Sequence, residues 1–107
     1  MHLYVTGRHF ELTEAIHDYV RRRLVEPVEG HSNAQDIRRM EVQLYSVPEG
    51  DVRFGCHVLL QLPHHQDLNI REETQDLYEA VDRAEKRLLR QLVDYRARSR
   101  DQARHGS

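Results

Sequence analysis

The sequence predicts an α+β domain: a two-layer β-α-β-β-β-α sandwich whose four-stranded sheet carries both helices on one face. Three observations point there. Four short stretches alternate apolar and polar residues with period two, the mark of strands covered on one side. Two longer stretches repeat apolar residues every three or four positions, the mark of amphipathic helices. The 107 residues suffice for one modest core and are too few for a second domain with a linker. A sheet with one apolar face and two one-sided helices bury those surfaces against each other as two layers.

The first strand is His2 to Thr6, with Leu3 and Val5 on one side and Gly7 ending it. Thr13 can cap the first helix, since its hydroxyl accepts from an orphan backbone N–H of the first turn. Ile16, Tyr19, Val20 and Leu24 follow at helical spacing. Arg21, Arg22 and Arg23 are expected to close this helix at the negative end of its dipole, and Pro27 and Gly30 to stop it. Glu29 to Asp36 is polar and reads as a loop. Three strands come next. Met40, Val42 and Leu44 form the apolar side of one, and Phe54, Cys56, Val58, Leu60 and Leu62 that of another; Leu68 and Ile70 open the third. Turns are predicted at Val47–Asp51 and Pro63–Gln66, where proline and glycine play their usual parts. The first two strands flank a helix, which suggests a parallel, right-handed crossover; the last three should be antiparallel. Asp76 can cap the final helix, with Glu79 completing a capping box. Leu77, Val81, Ala84, Leu88, Leu92 and Tyr95 then mark about five turns. Residues 1–98 are expected to form the domain, and 99–107 a polar tail that frays.

Charge is unevenly placed. Residues 1–81 hold eight Lys/Arg and fourteen Asp/Glu, whereas residues 82–107 hold eight and four. The body is acidic and the C-terminal end basic. At about 100° per residue, Arg83, Lys86, Arg87, Arg90 and Arg98 fall on the face of the last helix away from its apolar stripe. Such a face suits a phosphate backbone, because each cation can neutralise a phosphate and release counterions. A solvated helix face interrupted by Asp82, Glu85 and Asp94 explains the same pattern, and the helix dipole explains the Arg21–Arg23 run.

Other chemistries find little support. One cysteine excludes an internal disulfide framework, so nothing points to secretion. The first residues lack the basic and apolar regions of a signal peptide, and no apolar run is long enough for a membrane span. A cytoplasmic, soluble protein is expected. His64 and His65 are adjacent in a turn without Cys or carboxylate at a familiar metal spacing, so no metal or other cofactor is expected. Cys56 falls on an apolar strand face, the place of an inert thiol. Glu72 and Glu73 could be imagined as acid and base, but carboxylates are expected just before a helix N-terminus. No Gly-rich phosphate loop or catalytic triad order is present, so neither an enzyme nor a small-molecule substrate is indicated.

Two stretches carry a family resemblance. Val5-Thr6-Gly7-Arg8-His9-Phe10-Glu11-Leu12-Thr13-Glu14-Ala15-Ile16, continuing to Asp18-Tyr19-Val20, resembles the opening of the ribosome hibernation promoting factor family, which includes ribosome-associated inhibitor A, also called protein Y. Gln75-Asp76-Leu77-Tyr78-Glu79-Ala80-Val81-Asp82, followed by Arg87-Leu88-Leu89-Arg90-Gln91-Leu92, resembles that family's last helix. The two lie in the family's order with three strands between them.

The resemblance implies a fold similar to a double-stranded-RNA-binding domain. It further implies binding in the decoding region of the small ribosomal subunit, where tRNA and mRNA would lie, so that translation is blocked in stress or stationary phase. Its ribosomal-RNA positions match Arg87, Arg90, Arg96, Arg98 and Arg100 in the last helix, Arg23 with Arg22 at the end of the first, and Arg8. Three departures remove positive charge: Asp94, Glu26–Gly30, and His17 where arginine is usual. They predict weaker binding than a typical member shows. A chain of this length matches the short type, expected to be a monomer off the ribosome. A different class of function fits the same fold: a regulatory domain of the transcription-factor-modulator type that binds a protein through its acidic body.

Overall fold

The structure is a computed structural model that describes residues 2–31, 37–48, 53–63 and 66–105; at 31 and 99–105 only the backbone is described. The strands are β1 (His2–Arg8), β2 (Arg39–Val47), β3 (Arg53–Gln61) and β4 (Leu68–Thr74), side by side in sequence order. β1 pairs with β2 in parallel, Leu3 opposite Met40 and Val5 opposite Val42. β2–β3 and β3–β4 are antiparallel, with Val42 opposite Val58 and Val58 opposite Ile70. The predicted pairing pattern is therefore the one observed. From residue 49 the predicted 47–51 turn lies outside the described residues, as do His64 and His65 and residues 32–36 of the predicted loop.

The first helix differs from expectation. It runs on as α1 (Glu14–Val20), a π-helical turn (Arg21–Val25) and α2 (Glu26–His31), helical without a break. Arg21–Arg23 thus sit in mid-helix, and stabilisation by a helix end does not account for them. Pro27 does not stop the chain because it follows the π turn directly. There the Glu26 N–H bonds the Arg21 carbonyl five residues back. That wider register sets the carbonyls back by one, so the ring avoids the clash that ends an ordinary helix. Thr13 caps α1 as predicted, its Oγ1 accepting from the Ile16 N–H at 3.2 Å.

Nor does Gly7 end β1: the strand continues to Arg8. Gly7 is needed for a close approach, since a Cβ there would lie 3.2 Å from the Phe10 carbonyl oxygen and 3.3 Å from Leu12 Cβ. The chain turns at His9, whose φ of 63° is left-handed.

α3 (Leu77–His105) is 29 residues long, longer than its apolar stripe predicts. Asp76 caps it, Oδ1 accepting from the Tyr78 N–H at 3.0 Å. Glu79 does not close a capping box; it accepts from Arg83 instead, at 2.8 Å.

The core joins one sheet face to both helices. Met40, Val42, Leu44, Cys56, Val58, Leu60, Leu68 and Ile70 are buried against Val20, Leu24, Leu77, Val81, Ala84, Leu88 and Leu92. Leu3, Val5, Ile16 and Tyr95 pack at its margin, half-buried. Val25, Val28, Ile37 and Ala80 are buried too, outside the stripes read from the sequence. Leu88 is fully buried, as its place in the stripe demands.

Candidate nucleic-acid interface

Packing assigns the predicted basic residues to three places. Arg83, Lys86, Arg87, Arg90, Arg96 and Arg98 lie along α3; the backbone of Arg100 continues that helix, and its side chain lies outside the described residues. Arg22 and Arg23 lie in the π turn that packs beside α3. Arg8 ends β1 far from both, on the sheet's helix-free side, in a shallow depression with His9, Gln43, Tyr45 and Arg71.

These cations are not equivalent. Arg83 is paired with Glu79 one turn away. Arg87 reaches from α3 to β4, where it bonds Glu72 Oε1 at 2.9 Å and the Arg71 carbonyl at 3.2 Å. The Glu72 side chain, only 18 % exposed, sits under the helix and needs that partner. Arg87 is therefore a clasp between the layers as well as a surface charge. Lys86, Arg90 and Arg98 are exposed and form no ion pair among the described residues. Arg96 is half-buried.

Asp82, which interrupts the basic face in sequence, is drawn off it. The Tyr19 hydroxyl donates to Asp82 Oδ1 at 2.6 Å, and Arg23 Nε lies 3.6 Å from the same oxygen. The Arg23 guanidinium also stands 5.5 Å from the Tyr19 ring, which meets the Tyr78 ring edge-on at 4.7 Å. Burial, and then the bond to Asp82, push the Tyr19 hydroxyl above its usual range, so it stays a donor. This cluster joins the first helix to α3 and uses the carboxylate that would otherwise oppose a phosphate.

The other candidate groups separate. Glu72 and Glu73 are adjacent in β4 and point to opposite faces, Glu72 to Arg87 and Glu73 to Tyr45. They lie within the strand, and no pair of carboxylates forms there. Cys56 is fully buried, and that burial, reinforced by Glu72, pushes its thiol up to about 12. Among the described residues no three His, Cys, Asp or Glu side chains gather as a metal site, and no helix is long and apolar enough to cross a membrane. Arg39, Arg53 and Arg71 were not singled out by sequence reasoning. They are scattered along three strands, and only strand alternation, applied to the polar side, brings them together.

Known proteins resemble this arrangement over nearly its whole length. The family described as sigma 54 modulation protein / S30EA ribosomal protein matches residues 3–100. The N-terminal domain of Protein Y from Thermus thermophilus superposes with a TM-score of 0.73 at 28% identity, covering 89% of this chain and 99% of that one. A ribosomal subunit interface protein from Coxiella burnetii superposes with a TM-score of 0.74 at 21% identity, covering 91% and 99%. Comparison with curated protein sequences gives no match.

Proposed function

Because the chain belongs to the sigma 54 modulation protein / S30EA ribosomal protein family, we propose that it is a ribosome-associated translation inhibitor, a binding protein and not an enzyme. It occupies the decoding region of the small ribosomal subunit, contacts ribosomal RNA, and keeps tRNA and mRNA from their sites during stress or stationary phase. It acts in the cytoplasm, as a monomer when off the ribosome, with residues 1–98 as the binding unit. The observation that carries this reading is the family match over residues 3–100, on a fold that leaves Lys86, Arg90 and Arg98 exposed along one helix. Arg22, Arg23, Arg83, Arg87, Arg96 and Arg100 flank or extend that row.

The test is co-sedimentation with small subunits and whole ribosomes in sucrose gradients over a series of salt concentrations. The protein should travel with ribosomes at low salt, less tightly than a relative without the three charge losses, and inhibit translation in vitro. Reversing Lys86 and Arg90 to Glu should release it, and the salt dependence should become shallower by about one unit per lost phosphate contact. If the protein stays at the top of the low-salt gradient while a relative sediments, the reading is wrong. Retention that is indifferent to both salt and charge reversal would favour the regulatory, protein-binding alternative, since ordinary protein interfaces respond less to salt.

A further inference from the structure

The side of the sheet turned away from the helices is uncovered, and its charge runs against that of the body around it. Among the described strand positions, alternation places Arg8, Arg39, Arg53 and Arg71 on this side, against Glu41 and Glu73. Half of the eight cations in residues 1–81 are thus gathered on one surface, with two of the fourteen acidic residues. Both glutamates are already engaged. Glu41 pairs with Arg39 at 2.5 Å, and Glu73 accepts the Tyr45 hydroxyl at 2.9 Å.

The same surface carries planar groups. Tyr4 is 48% exposed, with the Arg39 guanidinium 4.1 Å from its ring centre. Tyr45 lies over Gly55, opposite it in the register, so closely that any side chain at 55 would displace the ring. Arg71 stands 5.8 Å from that ring. Arg8, Arg71 and the Gln43 amide face the depression beside it.

We infer that this open sheet face is a second RNA-binding surface, separate from α3, and that it takes single-stranded RNA. Arg8 and Arg71 hold phosphates, and an unpaired base stacks on the Tyr4–Arg39 pair. Flat aromatic and guanidinium planes on a sheet suit splayed bases, whereas a duplex keeps its bases stacked inside. The choice of RNA as partner rests on the ribosome reading; the readout does not, because it uses a free oligonucleotide.

A fluorescently labelled oligouridylate is titrated at low salt against wild type and three variants, with duplex RNA as competitor. Arg8→Glu with Arg71→Glu should weaken binding more than tenfold and lower the salt slope by roughly one unit. Tyr4→Ala should weaken it by about tenfold, the worth of one stacked base. Lys86→Glu with Arg90→Glu should leave it within about twofold. Should the first pair fail to fold, Arg8→Gln with Arg71→Gln removes the same charges more gently. Absence of wild-type binding, equal competition by duplex, or equal loss in the α3 variant would overturn the inference. Ribosome sedimentation of the same variants separates the two ideas. If only the α3 reversal releases ribosomes and the sheet variants bind oligouridylate normally, this inference falls and the ribosome reading stands. If the oligonucleotide behaves as expected and wild type never sediments with ribosomes, the ribosome reading falls and the RNA surface stands.

Discussion

The Arg87 guanidinium serves two acceptors on β4, and one of them, Glu72, is largely shielded from water. Arg87 and Arg90 look alike in sequence, both on the polar side of α3, yet they should respond differently to charge reversal. Arg87→Glu sets a carboxylate against Glu72 and strands it; about 1–3 kcal/mol of stability should go, the cost of a lost hydrogen bond to a charged group. Arg90→Glu changes an exposed side chain with no ion pair among the described residues and should stay within about 0.5 kcal/mol. Urea unfolding of both variants reads the difference directly; equal midpoints would mean that Arg87 is only a surface charge. No spacing rule reveals this, because the partner lies fifteen residues away on another layer. Legible, by contrast, were the Thr13 and Asp76 caps, which depend on neighbours two or three residues ahead.

At the scale of elements, period-two and helical repeats located all four strands and both helical stretches, because each pattern records burial on one face. What they missed is the π turn. Ile16, Val20, Leu24 and Val28 recur every four residues, a spacing that drifts by about 40° per step in an α-helix and would carry Val28 about 120° off the core. The π turn absorbs one residue, and so turns the chain back by about 100°. Leu24 and Val28 are accordingly both buried. Deleting Arg22 should restore plain α-helix with the apolar residues still in phase. Pro27 would then meet the ordinary clash, at a cost of about 3 kcal/mol. Pro27→Ala should recover most of that in the deletion background and do little in wild type. A double-mutant cycle by chemical denaturation measures the coupling; additive effects would dismiss this account.

For the molecule as a whole, the candidate site was legible as a class of residue, arginines and a lysine, and not as a surface. The acidic sum over residues 1–81 conceals a sheet face where cations prevail, since a tally along the chain ignores which side each residue takes. The same layering leaves β1 and β4 at the two margins of the sheet, each with a strand neighbour on one side only. Unpaired margins invite another chain to add a strand, the usual start of aggregation. At β4 the Arg87 guanidinium already sits on the Arg71 carbonyl, so a would-be neighbour meets a cation in place of a free acceptor. Arg87→Ala should leave α3 helical by circular dichroism and raise light scattering on gentle warming, whereas Arg90→Ala should scatter like wild type. The clasp that ties the two layers together would then also be what keeps one copy of the protein from templating the next.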